Sequence, residues 1–247
     1  MKILLINPNT TEEMTVGALN TALKVKDPRT EIISMTNNKG PKSIEGVLDG
    51  ILTTEGVLEI IIREEENYDA FVIACFSSHP SVIAGREITK KPVIGIFEAA
   101  AFQACLIGEK FGIVTTSKRW VPLLDAGVHQ LGVASRCSAI RSTGLSVLDL
   151  ESKNPDEVSD IILETSRKTI EEDGTEVILL GCAGMAGLNE RLEMELGVPV
   201  IDAVCAAIKM VEGLVYQGLT TSKIGAYAPV EKRESAKLPA VFDKVYK

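Results

Sequence analysis

The sequence predicts an α/β protein with two similar parallel-sheet lobes, and two observations support that prediction. Short β-branched runs alternate with longer amphipathic segments along the 247 residues, an order typical of parallel sheets covered by helices on both faces. Phe71–Ala74 and Val177–Leu180 are apolar without alternation, as strands buried on both faces require. The second observation is an internal duplication, in which an apolar strand ends at a cysteine in each half of the chain.

Strands and helices are assigned in chain order from these patterns. The helix predicted at Pro155 has a clear start, because Asn154 is a favoured N-cap, proline is favoured at the first helical position and Glu157 can complete a capping box. The predicted strands are Lys2–Ile6, Glu31–Met35, Ala70–Ala74, Pro92–Ile96, Gly112–Thr115, Ser135–Ile140, Glu176–Leu180 and Val198–Ile201. The predicted helices include Thr11–Val25, Ile51–Glu66, Trp120–Leu131 and Pro155–Glu172.

The duplication has three landmarks in register. Cys75 and Cys182 each end a predicted strand, and each precedes a Pro-Val-Ile segment by the same 17 residues. Thr10 follows the first strand and lies 65 residues before Cys75, while Thr116 follows the fifth strand and lies 66 residues before Cys182. Three matching intervals predict two lobes of one topology, with a cysteine at the same place in each.

Composition and charge exclude several classes of function. The net charge is −8 and no block of lysine or arginine occurs, so we expect neither nucleic acid nor an anionic membrane surface as a partner. The apolar runs are far shorter than the roughly 18 residues of a membrane span. Ile3–Ile6, the apolar run at the N-terminus, is too short for a signal peptide.

The cysteines and histidines predict free thiols in a cytoplasmic protein. Five cysteines, an odd number, are spread through the chain without a C-x-x-C motif, as expected in a reducing compartment. His79 and His129 are 50 residues apart and neither lies beside a cysteine, whereas a zinc site needs ligands at close, paired spacing. No nucleotide-binding glycine motif occurs either. We therefore expect no metal and no cofactor.

The two matched cysteines carry the chemical prediction. Ligands of open parallel sheets bind at the carboxyl ends of the strands, where a following helix N-terminus favours a thiolate. If the lobes face each other, Cys75 and Cys182 approach one bound molecule from opposite sides. Two opposed acid/base groups can remove a proton from one face of a carbon and return it to the other, which is a cofactor-free racemisation or epimerisation.

The groups around the predicted thiol pair are neutral. An enolate formed at such a carbon needs hydrogen-bond donors. The uncharged residues beside the cysteines and at the other strand ends are Ser77, Ser78, Ala183, Gly184, Asn9, Thr10, Thr115 and Thr116. Their neutrality favours an amide- or ureide-like substrate over a dicarboxylate.

Each assignment has an ordinary structural alternative. Cys105, Cys137 and Cys205 have no matched counterpart and are interpreted as small buried residues. The turn Asn7–Thr10 can be a strand-to-helix connection, a ligand contact or both. His79 can contact the substrate and shift the Cys75 thiol toward its thiolate, or it can simply begin a helix.

Eight short motifs form a specific combination that extends to about Gly225. They are Ile6–Thr10, Pro41–Gly46, Ile73–Phe76, Val93–Ala100, Ile113–Thr116, Leu180–Met185, Val200–Ala203 and Ala207–Glu212. In this combination the sequence resembles the aspartate/glutamate/hydantoin racemase superfamily, specifically its hydantoin and allantoin racemase branch.

That resemblance implies two α/β lobes related by pseudo-twofold symmetry, with residues 1–97 and a returning C-terminal segment, 204–247, in the first lobe and residues 98–203 in the second. It implies that Cys75 and Cys182 exchange protons with the carbon of a five-membered ureide ring, without a cofactor, in the cleft between the lobes. It also implies a homo-oligomer, either a tetramer or a hexamer. The ring contacts carried over by motif are Asn9, Ser43, Phe76, Ser77, Thr115, Thr116 and Gly184.

One loop departs from the pattern of the branch. Many hydantoin and allantoin racemases read Gly-Asp-Pro-Gly or Asp-Asp-Thr-Gly after Cys-Phe, where this chain reads Ser77–Pro80. Together with Ser117–Pro122, this version looks closer to the fungal members of the family associated with allantoin use. The change lies on the predicted binding loop, so the substrate stays open between 5-substituted hydantoins and allantoin.

Three other functions stay open as well. An aspartate- or glutamate-type amino-acid racemase needs cationic or strongly anion-binding groups, which the predicted strand ends lack. An enolate-forming decarboxylase or isomerase on the same fold needs only one thiol. A ureide-binding sensor needs no proton carrier at all, and the duplicated thiols argue against it.

Overall fold

The computed structural model describes residues 1–229 and 239–245, and in these ranges it contains two four-stranded parallel sheets flanked by helices. The strands are β1 (Lys2–Asn7), β2 (Glu31–Thr36), β3 (Ala70–Ile73), β4 (Val93–Gly95), β5 (Phe111–Thr115), β6 (Cys137–Ser142), β7 (Val177–Leu180) and β8 (Val200–Ile201). The helices are α1 (Glu12–Val25), α2 (Val47–Glu64), α3 (Pro80–Ile88), α4 (Ile96–Ile107), α5 (Trp120–Gln130), α6 (Asp149–Ser152), α7 (Pro155–Asp173), α8 (Asn189–Leu196) and α9 (Ala203–Tyr216).

The two sheets have the same topology. Their strand orders are β2-β1-β3-β4 and β6-β5-β7-β8, and every pairing is parallel. Ile6 lies opposite Ile73 in the first sheet, and Val114 lies opposite Leu180 in the second. The two cysteine-bearing loops therefore leave their sheets at equivalent places, and the predicted two-lobed α/β fold is confirmed.

The central strands are buried on both faces, which explains their unbroken apolar sequences. Every residue of β3 and of β7 is buried, as parallel strands between two helical layers require. Alternate residues of β1 join different apolar clusters. Ile3 and Leu5 belong to a cluster that runs through both lobes, whereas Leu4 and Ile6 belong to a cluster confined to the first lobe.

The cluster shared by the lobes runs through α4 and α9. Ala100 of α4 and Ala207 of α9 are fully buried in it, together with Val72 of the first sheet and Leu179 of the second. Helix α9 packs against α1, α4 and β3, so the last long helix returns to the first lobe. Small side chains on α4 and α9 let the two sheets share one core.

The division of the chain into 1–97 with 204–247, and 98–203, stays a prediction at the level of its boundaries. Residues 230–238 and 246–247 of the predicted C-terminal segment lie outside the described residues. No helix in the described part of the chain is long and apolar enough to cross a membrane.

The helix starts agree with the sequence where a capping signal is present. The Asn154 side chain accepts a hydrogen bond from the Asp156 backbone N–H at 2.9 Å, and Pro155 opens α7. Helix α2, by contrast, begins at Val47, four residues before the predicted start at Ile51. Val47 and the residue after it are apolar but exposed. A helix is recognised in sequence by apolar residues that repeat on its buried face, and these two residues do not belong to that face.

Strand β6 is displaced by two residues from its predicted position. The prediction began at Ser135, whereas the strand begins at Cys137. Residues 134–136 instead form a 3-10 turn, and the Lys110 ammonium donates to the Ser135 carbonyl there at 2.6 Å. A side chain distant in sequence fixes this turn, which local β-propensity does not reveal.

Gly56 on α2 permits a close approach to a buried amide. The Asn37 side chain is fully buried and donates to the carbonyl oxygens of Pro8 and Lys39 at 2.9 and 2.8 Å. A Cβ added at Gly56 would lie 2.1 Å from the Asn37 Oδ1 atom, so any side chain there displaces this hydrogen-bonded group.

We expect Gly56→Ala to lower the free energy of unfolding by about 1–3 kcal/mol, because the new methyl group overpacks the site and disturbs a buried polar contact. Gly17→Ala on α1 is the matched control, since nothing lies within 4 Å of its added Cβ. It should raise stability by about 0.5–1 kcal/mol through helix propensity. Urea denaturation measures both changes, and a Gly56→Ala protein as stable as the wild type would contradict this packing.

Candidate active site

A cavity lies between the carboxyl ends of the two sheets, and both matched cysteines line it. We call it the thiol cavity. Its walls come from both lobes: Asn7, Pro8, Asn9, Met14, Ile44, Ala74, Cys75 and Phe76 from the first, and Thr116, Trp120, Val147, Gly181, Cys182, Ala183 and Gly184 from the second. None of these lining residues is Asp, Glu, Lys, Arg or His, so the walls provide no fixed charge apart from that of a thiolate.

Cys75 follows β3 at the start of a tight turn. The Ser77 backbone N–H donates to the Cys75 carbonyl at 3.0 Å, and the Ser77 hydroxyl oxygen lies 3.2 Å from the Cys75 sulfur. The Phe76 ring between them packs on Phe97, with the ring centroids 5.0 Å apart. Burial raises the pKa of the Cys75 thiol to about 11, and the Ser77 hydroxyl acts in the opposite direction.

Cys182 follows β7 and begins a 3-10 turn, in which the Met185 N–H donates to the Cys182 carbonyl at 3.0 Å. Gly184 lies in this turn beside the thiol. An added Cβ would lie 2.9 Å from the end of the Leu150 side chain, which would have to move, and 3.8 Å from the Cys182 sulfur.

Asp202 connects the Cys182 loop to helix α9. One of its carboxylate oxygens accepts from the N–H groups of Val204 and Cys205 at the helix start, at 2.8 and 3.1 Å. The other accepts from the Gly187 N–H at 2.7 Å. Asp202 is thus a dipole-complementing cap of α9, and it also holds the end of the thiol-bearing loop.

The Asn7–Thr10 turn is both a connection and a wall of the cavity. The Asn7 amide donates to the Asn9 side-chain oxygen at 2.9 Å and to the Thr15 hydroxyl at 3.0 Å. The Asn9 oxygen also accepts from the Thr11 N–H. The NH₂ group of Asn9 has Met14 sulfur as its protein partner at 3.2 Å, and sulfur is a weak acceptor that a ligand oxygen can replace.

The two lobes also meet above the cavity. Ile44 from the first lobe and Val147 from the second both line it, and the Val147 N–H donates to the Glu45 carboxylate across the lobe boundary at 3.0 Å. The Arg119 guanidinium lies so close to Gly46 that a Cβ added there would be 2.9 Å from it. These contacts hold the roof loops of the two lobes together.

The structure brings together seven of the twelve residues proposed from sequence as catalytic or binding residues. The seven that line the thiol cavity are Cys75, Cys182, Asn9, Phe76, Thr116, Ala183 and Gly184. Thr115 is buried behind it, with its hydroxyl donating to the Gly181 carbonyl at 3.2 Å. Thr10 and Ser43 lie in neighbouring loop segments but do not line the cavity. Ser77 contacts the site through the Cys75 sulfur.

Among the apolar side chains of the cavity wall that sequence reasoning missed, the larger ones are Met14, Ile44, Trp120 and Val147. They come from helix starts and roof loops rather than from strand ends, and no duplicated position marks them. Ile44 lies within one of the family motifs, and Trp120 within the segment compared with fungal members. No other sequence signal points to them.

His79 is a helix cap and does not line the thiol cavity. Its ring is buried, with Nδ1 accepting from the Ser81 N–H at 3.3 Å and Nε2 lying 3.0 Å from the Thr53 hydroxyl oxygen. Thr53 can donate its own hydrogen to the Asp49 carbonyl, which leaves its oxygen able to accept from Nε2. Burial lowers the pKa of His79 to about 4. Of the two sequence interpretations, the structure matches the one in which His79 begins a helix.

In the part of the chain that the structure describes, no group of three or more His, Cys, Asp and Glu residues is arranged to hold a metal ion. All five cysteines are free of disulfide bonds and half-buried. The fold and this site together define a two-lobed α/β protein with one cysteine from each lobe at a shared, uncharged cavity.

Comparison with known proteins places this architecture in a family. The Asp/Glu/hydantoin racemase family matches residues 3–211. The chain is 43% identical over 235 residues to a hydantoin racemase of Pseudomonas sp. strain NS671, covering 95% of this chain and 94% of that protein. It is 37% identical over 234 residues to an uncharacterised protein of Schizosaccharomyces pombe, covering 93% and 98%.

A solved structure agrees with these relatives. The allantoin racemase from Klebsiella pneumoniae superimposes with a TM-score of 0.91 at 40% sequence identity, covering 99% of this chain and 98% of that one. The chain belongs to the Asp/Glu/hydantoin racemase family, within its hydantoin and allantoin racemase branch. It is an isomerase of the racemase type.

The buried His79 cap makes stability depend on pH. Between its ordinary pKa of 6.5 and its folded value of about 4, the unfolded chain binds a proton at His79 that the folded chain does not. The free energy of unfolding therefore falls as the pH falls through this range, by about 3 kcal/mol in total. His79→Asn keeps an N-cap acceptor but cannot titrate.

We expect the free energy of unfolding of the wild type to decrease more steeply than that of His79→Asn between pH 6.5 and pH 4. Above pH 7 the two free energies should change with pH in parallel. Denaturant unfolding across that range measures the difference between the slopes. Parallel curves throughout would show that His79 is protonated equally in the folded and unfolded states.

Proposed function

We propose that this chain racemises 5-substituted hydantoins or allantoin without a cofactor, using Cys75 and Cys182 as acid/base groups on opposite faces of the ring. The observation that carries the proposal is that two thiols, from equivalent strand ends of two lobes, line one cavity. Relatives named as a hydantoin racemase and an allantoin racemase support the choice of substrate class.

The reaction needs one thiolate and one thiol. The thiolate removes the proton from C5 of the ring, and the electron pair of that C–H bond moves toward the neighbouring carbonyl oxygen. The opposite thiol then gives its proton to the other face of C5. No proton is gained or lost overall, and the two cysteines have exchanged protonation states.

The raised pKa of Cys75 supports one assignment of acid and base for this transfer. Burial raises the pKa of the Cys75 thiol, which favours its protonated form and supports Cys75 as the acid in one direction. The two-thiol mechanism then requires Cys182 to act as the base in that direction, and the assignments reverse for the other enantiomer.

The developing enolate oxygen requires donors that are already in place. Asn9 offers an amide N–H whose partner among the described residues is the Met14 thioether, and Thr116 offers a hydroxyl at the opposite strand end. The backbone at Gly184 has no side chain and lies beside the Cys182 sulfur. It offers a third possible hydrogen-bonding contact to the enolate oxygen.

The neutral walls favour a neutral ring over an amino acid with two carboxylates. A dicarboxylate would lose its hydration on entering a cavity with no lysine, arginine or histidine in its lining, and nothing there would compensate that cost. A hydantoin ring has only amide-type groups and an acidic C–H, so it needs hydrogen bonds rather than counter-charges.

Proton NMR in D₂O tests the proposal directly. The purified protein is incubated with allantoin and a panel of single-enantiomer 5-substituted hydantoins, and the C5–H signal is followed beside an enzyme-free control. We expect enzyme-dependent loss of that signal together with loss of optical rotation. Cys75→Ala and Cys182→Ala should each slow racemisation by at least about 100-fold, the usual contribution of a positioned acid or base.

Cys105→Ala is the matched control, because Cys105 is also a half-buried free thiol but lies on α4 outside the cavity wall. It should racemise at close to the wild-type rate. Racemisation that survives both single substitutions would refute the two-thiol mechanism. Loss in only one of them would favour a one-thiol decarboxylase or isomerase, and binding without any exchange would favour a sensor.

A further inference from the structure

The Ser77 hydroxyl has a position that its place in the sequence did not reveal. The turn closed by the Ser77 N–H and the Cys75 carbonyl directs the hydroxyl back onto the Cys75 sulfur, with 3.2 Å between oxygen and sulfur. Phe76, between the two, is buried and packed on Phe97, so the turn has little freedom to rearrange. The hydroxyl is held beside the sulfur by backbone geometry and by packing.

The other titratable groups near Cys75 lie on the facing lobe or have hydrogen-bond partners of their own. Cys182, on the facing lobe, is the other thiol in that lining. His79 of the following helix is buried, neutral and directed to Thr53 and Ser81. Glu45 in the roof directs its carboxylate to the Val147 N–H.

We propose that Ser77 is a positioning residue for the reaction, whose hydroxyl donates a hydrogen bond to the Cys75 thiolate and thereby makes Cys75 usable as an acid/base group inside an apolar cavity. A hydroxyl can accept from a thiol or donate to a thiolate, but the bond to the charged form is the stronger. The contact therefore stabilises the thiolate more than the thiol, and it offsets part of the penalty that burial imposes on the charge.

The proposal rests on the function argued above and makes one step of it explicit. When Cys75 gives its proton to C5, the S–H bond breaks, a C–H bond forms and the sulfur keeps the electron pair. The Ser77 O–H then turns to this thiolate without transferring its own proton. In the reverse direction the same contact holds Cys75 as the thiolate that removes the proton.

Thiol labelling tests Ser77 without requiring turnover. Wild type, Ser77→Ala and Ser77→Thr are treated with iodoacetamide from pH 7 to pH 10, and modification of Cys75 is followed by peptide mass spectrometry. Only the thiolate reacts, so the rate reports the thiolate fraction at each pH. We expect Ser77→Ala to label Cys75 about ten- to a hundredfold more slowly at every pH below the thiol pKa, because it loses one hydrogen bond to a charged group.

Matched controls separate this effect from a general change in structure. Ser77→Thr keeps the hydroxyl and should restore most of the labelling rate. Ser78→Ala removes an exposed neighbouring hydroxyl and should label as the wild type does. Cys105 and Cys205 in the same digests should label at unchanged rates in all the proteins. Labelling of Cys75 in Ser77→Ala that is as fast as in the wild type, or faster, would overturn the proposal.

A second readout links Ser77 to catalysis. With an active ring substrate, Ser77→Ala should lower kcat/KM by a factor similar to its effect on labelling, with recovery in Ser77→Thr. The decrease must be equal for the two enantiomers, because the equilibrium constant of a racemisation is one. If Cys75 labelling responds as expected while no ring exchanges in the wild type, the racemase assignment fails and the Ser77 contact stands. If labelling does not respond while the rings exchange, Ser77 has no such function.

Discussion

The apolar core shared by the two sheets is the constraint on which the rest of the structure depends. Helices α4 and α9 lie between the sheets, and their small buried residues, such as Ala100 and Ala207, allow both sheets to pack against them. Because the sheets have one strand order and share this core, their carboxyl ends open onto the same cavity. The two cysteines then face one cavity as a consequence of packing, and the Val147 N–H bonds to the Glu45 carboxylate across the lobe boundary beside it.

Apolar burial has opposite effects on the chemistry of this site. It excludes competing charges and strengthens every hydrogen bond made to an enolate or a thiolate. It also raises the pKa of Cys75, which keeps a proton available but makes the thiolate costly. The Ser77 hydroxyl, 3.2 Å from the sulfur, offsets part of that cost. A site of this kind suits a neutral carbon acid. Such a substrate is negatively charged only as the enolate, after one sulfur has removed its proton and before the other returns one.

The fold and the thiol pair were predictable from sequence, because each leaves a signal that repeats. Buried parallel strands read as unbroken apolar runs, and the matching intervals of the duplication are enough to predict Cys75 and Cys182 at equivalent strand ends. The roof was not predictable in the same way. Trp120 and Val147 meet the cavity through loops whose course is set by contacts between lobes. His79 had two sequence interpretations, and only the structure shows that its ring contacts Thr53 rather than the thiol cavity.

The stereochemistry of deuterium exchange by single-thiol variants tests the central claim most directly. Cys75→Ala and Cys182→Ala are each incubated in D₂O with the separate enantiomers of one 5-substituted hydantoin. If the thiols act on opposite faces of the ring, each variant exchanges C5–H of one enantiomer without inverting it, and the two variants act on opposite enantiomers. Exchange of the same enantiomer by both variants, or of both enantiomers by either one, would contradict two opposed thiols.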